Sequence, residues 1–338
     1  MLFRDILGQN RVIGFLRQGL ATGAMPHALL FLGAEGVGKS STAQALAQAL
    51  NCEQRQTDQD ACGHCRSCRM FTAGGHPDFL QIKPSGEGGQ PQIKIEQIRE
   101  LRRQLGYPPL AGNWRVVLLK PAETLNEAAA NALLKTLEEP PVGNVLILTA
   151  IGERDLLPTI VSRCRRLTFG AIPQSILIQE LKRRKGLSPE QAALAAAMHY
   201  GSLGLALQED FQQLLDQRNQ TVKELEQLEH GSVGEVLQWA TQKSKKDAGL
   251  DKFIILGRLW YRDLLALKCH ARPEQLLNWD RSADLADQQR SLTTEAILTR
   301  LDVLSRLPQQ LRANLNIELC LNTFTLRWRS PDVVAVSG

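Results

Sequence analysis

The run Gly33-Ala34-Glu35-Gly36-Val37-Gly38-Lys39-Ser40 constrains this chain more than any other feature. It has the G-x-x-x-x-G-K-S spacing of a phosphate-binding loop. Its glycines let backbone N–H groups converge on phosphate oxygens, and the helix that follows adds its positive end. Lys39 is placed to reach the β and γ phosphates, and Ser40 to ligate Mg²⁺. Such a loop needs a strand before it and a helix after it. Ala28–Leu32 is a short apolar run, and Ser40–Leu50 is rich in Ala and Leu. Arg115–Leu119 and Asn144–Ala150 are two further β-rich runs, each long enough for a buried parallel strand. Thr124-Leu125-Asn126-Glu127 reads as a capping box opening an alanine-rich helix that Pro140-Pro141 must stop. Strands alternating with helices predict an α/β domain with a mostly parallel, doubly wound sheet.

The strand that should complete the site departs from the pattern. Arg115-Val116-Val117-Leu118-Leu119 runs into Lys120-Pro121-Ala122-Glu123. A nucleotide-hydrolysing site has an aspartate at the end of this strand to help hold Mg²⁺. Here Lys120 and Pro121 come first, and Glu123 lies too far along in register to replace them. The loop is therefore either a weak ATP or ADP site that holds Mg²⁺ poorly, or a vestigial turn that binds nothing. No ATP hydrolysis by this chain alone is expected in either case.

A length of 338 residues implies two or three domains. After about Gly170 the strand signals fade. Pro173–Gly186 and Ser188–His199 read as two short helices, and Asp210 to Arg329 is helical in pattern. Phe253, Leu256, Leu259 and Trp260 recur three and four apart, as on the buried face of a helix in a bundle. Ser85-Gly86-Glu87-Gly88-Gly89-Gln90 reads as an exposed loop. No apolar stretch is long enough to span a bilayer, and the start Met1-Leu2-Phe3-Arg4-Asp5 has no signal-peptide character, so a cytoplasmic protein is expected.

Four of the seven cysteines lie between Cys52 and Cys68. In a reducing compartment such clustering means metal more readily than disulfides. Cys62, Cys65 and Cys68 make two overlapping C-x₂-C steps, and Cys52 is the upstream partner. The set suits a tetrahedral Zn²⁺ site with four thiolates and no open position, hence a structural one. Free cysteines and redox disulfides are the other readings. Gly63 and Ser67 favour the metal, because small residues suit tight knuckles. The metal is expected to order this short insert while the phosphate-loop domain has its own core. His64 and His76 read as solvent-facing loop residues.

Basic residues number 40 and acidic residues 35, a net charge of +5. This is a weak bias toward acidic partners. Lys182-Arg183-Arg184-Lys185 and Lys243-Ser244-Lys245-Lys246 lack interleaved aromatics and read as solvated helix ends. Arg99, Arg102 and Arg103 share one helix-like segment. Arg163, in Ser162-Arg163-Cys164, stands shortly after the Asn144–Ala150 run. An arginine at the edge of a nucleotide-binding domain can reach a phosphate bound by a neighbouring subunit, or it can be an ordinary surface cation.

Several motifs then occur in a set order. They are Phe3-Arg4-Asp5-Ile6-Leu7-Gly8-Gln9, Pro26-His27-Ala28, the phosphate loop, the four cysteines, Asn131-Ala132-Leu133-Leu134-Lys135-Thr136-Leu137-Glu138-Glu139-Pro140-Pro141, and Ser162-Arg163-Cys164. In this the chain resembles the bacterial clamp-loader subunits of DNA polymerase III, strongly over about residues 1–170. The resemblance implies an AAA+ domain over 1–170 with a zinc module at about 52–68. A helical lid over 171–209 and a helical collar over 210–330, which joins subunits in a ring, would follow. It implies that Arg163 acts in trans on the ATP site of an adjacent motor subunit. Gly8 and Gln9 match the segment near the adenine, while Gly33, Gly36, Gly38, Lys39 and Ser40 match the phosphate loop. Cys52, Cys62, Cys65 and Cys68 match the zinc ligands. Implied partners are the gamma/tau and delta subunits, the sliding clamp, and primed DNA through the assembled complex, with no membrane. Gly204 stands where motor subunits carry an arginine that senses the γ-phosphate. Losses at Lys120, Pro121 and Gly204, beside an intact Arg163, imply a stationary subunit that is no enzyme by itself; polymerisation belongs to another subunit. The alternatives are a gamma/tau motor, separable by ATP turnover of the isolated chain, and a zinc-dependent DNA-binding module. The second would need more basic residues near the cysteines than Arg66 and Arg69.

Overall fold

The computed structural model describes residues 1–86, 91–245, 249–313 and 316–329. Residues 87–90 of the expected loop and Lys246 of the basic tract lie outside them. The chain divides into two compact units, Met1–Leu177 with Tyr200–Leu205, and Ile178–His199 with Ala206–Gly338. Two of the three divisions, at 177/178 and 205/206, fall inside helices, and the third, at 199/200, falls between two helices.

The first unit is built on β1 (Ala28–Leu32), β2 (Phe79–Ile82), β3 (Arg115–Leu119), β4 (Asn144–Ala150) and β5 (Arg165–Thr168). These form a five-stranded sheet in the order β2-β3-β4-β1-β5, and every pairing is parallel. The helices are α1 (Asn10–Thr22), α2 (Lys39–Leu50), α3 (Arg66–Thr72), α4 (Ile95–Leu105), α5 (Glu127–Glu138) and α6 (Pro158–Val161). From β1 the chain goes to β2 at one edge, returns through β3 to β4 beside β1, and ends at β5 on β1's other flank. The ends of β1, β3 and β4 therefore open on one side, the side on which open parallel sheets place their ligands.

Alternation along the strands separates two apolar layers. Leu29, Phe31, Val116, Leu118, Val145 and Ile147 pack with α1, α2 and the cysteines. Leu30, Leu32, Val117, Leu119, Leu146 and Leu148 pack with α4 and α5. The central strands β1, β3 and β4 are buried along their whole length, which is why they read as unbroken apolar runs. β2 and β5 are edge strands with exposed polar positions, and their sequences carry no such run.

One expected cap is corrected. Thr124 does not cap α5: it lies two residues before the N-cap, and its hydroxyl donates to Pro121 O at 2.7 Å. The cap is Asn126, whose Oδ1 accepts from Ala129 N at 2.8 Å. An asparagine directly before the first helical residue outcompetes a threonine two positions earlier.

The second unit is helical: the rest of α7 (Gln174–Lys185), α8 (Pro189–Met198), the end of α9 (Leu203–Gln208), α10 (Phe211–His230), α11 (Val233–Lys245), α12 (Leu250–Lys268), α13 (Ser282–Ser291), α14 (Thr294–Ala313) and α15 (Ile317–Arg329). Helix α12 packs on α10, α13 and α14. The expected stripe Phe253, Leu256, Leu259 and Trp260 is buried on it. Trp239, Phe253, Phe324 and Trp328 form an aromatic chain through this core. No helix among the described residues is long and apolar enough to cross a membrane.

Candidate functional site

The phosphate loop hangs between β1 and α2, as its motif requires. Gly33 N donates to Ala150 O at 3.2 Å, which ties the loop's first residue to the end of β4. Gly38 precedes α2 in a left-handed conformation, and no side chain caps that helix, so its first N–H groups face the loop. Lys39 turns back on the loop itself: its amine donates to Gly33 O, and to Ala34 O at 2.8 Å. Burial holds the amine below the usual lysine range, while the charges of Glu123 and Glu35 pull it up.

Gln9 is buried and fully engaged. Its Nε2 donates to Val37 O at 3.2 Å and Gly170 O at 2.8 Å, and its Oε1 accepts from Gly170 N at 3.2 Å. It bolts the phosphate loop to the segment after β5. Gly8 beside it has φ +73°, and Pro173 closes on the space where a side chain would begin. The bolt was invisible in the sequence, because nothing local marks Val37 and Gly170 as neighbours of residue 9.

The opposite wall of the loop is made by residues 200–205. Gly204 N donates to Gly36 O at 3.0 Å. A Cβ on Gly204 would stand 2.9 Å from Gly36 Cα, and one on Gly36 would stand 2.1 Å from Ser202 Oγ. Two bare backbones are in contact at this point. At the end of β3, Lys120 is half-buried and held below the usual lysine range by burial and by Lys83. Glu123 follows on the short turn Ala122–Thr124. Its charge acts on Lys39, and its Oε2 is buried with no hydrogen-bond partner among the described residues.

Cys52, Cys62, Cys65 and Cys68 converge, their sulfurs all within 4.8 Å of one another. Gly63 makes the turn between the first two ligands of the C-x₂-C steps with φ +84°. Backbone N–H groups then point at sulfur: Cys62 N at Cys52 Sγ (3.2 Å), Cys65 N at Cys62 Sγ (3.3 Å) and Cys68 N at Cys65 Sγ (3.4 Å). Burial raises the Cys62 thiol, but N–H bonds from His64 and Cys65 outweigh it and bring it down to about 6. Cys68 is pushed up to about 12, chiefly by burial, with Cys52 adding to the rise. Such a set sheds its remaining protons only with a cation at its centre, and it could hold a metal ion such as zinc. The cysteines also belong to the core shared by α2 and the sheet, so the insert is not a separate module hung on the domain.

His64 is exposed, as expected. His76 is not: it is 5% exposed, stacked on Phe71 with ring centroids 4.1 Å apart, and bonded to Ser67 Oγ and Asp78 N. Phe71 of α3 supplies the apolar lid that a loop-like sequence around residue 76 could not announce.

Arg163 follows α6 at the domain edge, one third exposed. Its Nε donates to Glu138 Oε1 at 2.9 Å and its Nη1 to Thr159 O at 3.0 Å. The basic tracts are mostly answered internally. Arg183 and Arg184 pair with Glu180, Lys185 reaches Glu209 O, and Lys243 pairs with Glu224. Arg99, Arg102 and Arg103 are exposed on α4, with Arg103 paired to Glu100.

A parallel α/β sheet with a phosphate loop after β1, and a helical second unit, define the class as a P-loop α/β protein. Within that class, residues 8–173 match the family described as DNA polymerase III, delta subunit. DNA polymerase III subunit delta' of Yersinia pestis is 34% identical over 256 residues, covering 70% of this chain and 71% of that one. The chain belongs to the delta' family of DNA polymerase III subunits. Subunit delta' of Escherichia coli is 36% identical, over 54% of this chain and 53% of that one. Subunit tau of Bacillus subtilis is 33% identical, over 54% of this chain but 31% of that one. Among solved structures, a gamma-subunit-related protein of DNA polymerase III from Thermotoga maritima aligns with a TM-score of 0.42 at 20% identity, over 94% of this chain and 98% of that one.

Proposed function

We propose that the chain is the stationary delta' subunit of a clamp loader, which completes a neighbour's ATP site while its own stays silent. In this reading residues 1–170 are an AAA+ domain, 171–209 a lid and 210–330 the collar through which it joins gamma/tau and delta subunits. The assembled cytoplasmic complex would open a sliding clamp and set it on primed DNA.

The observation that carries the reading is an asymmetry. On the chain's own side, Lys120 occupies the place of an Mg²⁺-holding acid, and Gly204 closes on Gly36. On the outward side, Arg163 keeps a partly exposed guanidinium at the rim. These residues fit Mg²⁺ poorly and fit a guanidinium offered in trans well. The cysteine set would hold structural Zn²⁺ through Cys52, Cys62, Cys65 and Cys68, with no position open for catalysis.

Two measurements test it. Phosphate release by the isolated chain should stay at background, and turnover abolished by Lys39→Ala would overturn that expectation. In a reconstituted complex, Arg163→Ala should assemble normally yet lower DNA- and clamp-stimulated ATPase. Arginine fingers contribute about 10³–10⁵ in rate at the site they serve, and the loss in a ring is smaller because other sites keep their own. Lysine should substitute poorly, since it lacks the planar fork. Unchanged ATPase and clamp loading would make Arg163 an ordinary surface residue.

A further inference from the structure

We propose that Glu138 withholds Arg163, gripping its guanidinium in cis until a neighbour's phosphate takes it. This rests on the reading of Arg163 as a group that acts in trans.

The geometry is specific. Glu138 ends α5, whose opposite face is fixed by buried Leu133, Thr136 and Leu137. Arg163 follows α6, which packs on α5. Glu138 Oε1 accepts from Arg163 Nε at 2.9 Å and lies 2.5 Å from Nη2. Nη1 donates to Thr159 O at 3.0 Å and Ser162 Oγ at 3.4 Å. A guanidinium has five N–H groups, and its Nε/Nη2 edge is the fork that grips either a carboxylate or a phosphate. Here that edge is already taken, and the Nη1 end is spent on the chain's own α6. Engaging a phosphate through that edge therefore requires Glu138 to let go.

The grip is also weak enough to be released. The side chains of Arg163 and Glu138 are 35% and 47% exposed, and ion pairs this open are worth little in water. A phosphate carries more charge than a carboxylate, and inside a closed subunit interface it outcompetes Glu138. Outside the ring, Glu138 wins and free anions find the fork occupied. Glu138 is thus a positioning residue that sets how readily Arg163 is delivered.

The test uses the reconstituted complex with Glu138→Gln, Arg163→Ala and both together. Glutamine keeps the length of glutamate but loses the charge. With Arg163 present, Glu138→Gln should lower the apparent KM for ATP about twofold to fivefold, the span of an exposed ion pair, and leave kcat unchanged. With Arg163→Ala in place, adding Glu138→Gln should change nothing, so the pair is coupled rather than additive. If Glu138→Gln matches the unmodified complex while Arg163→Ala impairs it, the withholding idea fails and the trans role stands. A loss of ATPase on Glu138→Gln comparable to that of Arg163→Ala also overturns withholding, because Glu138 would then orient the arginine for catalysis. If Arg163→Ala itself has no effect, the trans role fails and the proposal falls with it.

Discussion

His76 carries a titratable ring into a pocket with no room for its charge. Its Nδ1 accepts a hydrogen bond from Asp78 N at 3.2 Å, so that nitrogen must be unprotonated in the folded chain. Burial holds its pKa below the ordinary value, against the pull of the Asp78 charge. In the unfolded chain the ring titrates near about 6.5. Below that pH the unfolded state takes up a proton that the folded state refuses. The stability that His76 contributes is therefore complete above about pH 6.5 and is lost as pH falls toward the lower folded value. His76→Gln keeps an acceptor for Asp78 N but does not titrate. Urea midpoints measured from pH 7.5 to 5 should fall less steeply for this variant than for the unmodified chain. Equal slopes would show that His76 is protonated freely in the fold. Its burial was not legible in the sequence. Gly74-Gly75-His76-Pro77 has the composition of a surface loop, and it is the return of Phe71 over the ring, with Ser67 and Asp78 beside it, that buries it.

Among the elements, the short turn Phe3–Asp5 and the cysteine insert depend on one carboxylate. Asp60 is fully buried and accepts from Phe3 N at 3.0 Å, Arg4 N at 3.1 Å and Ala61 N at 2.9 Å. Arg17 stands 3.9 Å away. Hydrogen bonds to a buried charge are among the stronger ones, and removing their acceptor strands the donors. Asp60→Ala should cost about 3 kcal/mol or more. It should also release the first residues, which trypsin would report as new cleavage after Arg4. Since Gln9 follows closely, the phosphate loop should loosen as well. Trypsin resistance at Arg4 with an unchanged melting temperature would show that the apolar contacts of Phe3 hold the turn unaided. The central strands and α2 were readable from apolar runs and the loop motif. This clasp was not, because it joins residues 3 and 60 across α1, β1 and α2.

At the scale of the molecule, the metal site bears on a whole domain. Because the cysteines share a core with α2 and one face of the sheet, metal loss should not stay within residues 52–68. About one zinc per chain is expected by elemental analysis, as four thiolates require. A chelator strong enough to strip it should lower the melting transition of the phosphate-loop unit, since metal binding there contributes to folding free energy. Protein purified without chelator and lacking zinc would remove the premise. A transition unmoved by zinc removal would return the insert to the separate module that the resemblance implied.

Sequence alone determined the α/β class, the loop at the end of β1, the cysteine set and the departure at Lys120, because each is written in local spacing or residue type. The helical character of the second half was equally legible from periodicity. Only the tertiary structure decided what the side chains do with one another. It tied Lys39 to its own loop, set Gly204 against Gly36, let the charge of Glu123 act on Lys39, and paired Arg163 with Glu138. Apart from the turn of Lys39 onto its own loop, those contacts join residues far apart in the chain. Their distances follow from how helices pack on a twisted sheet, and no local pattern in one sequence encodes them.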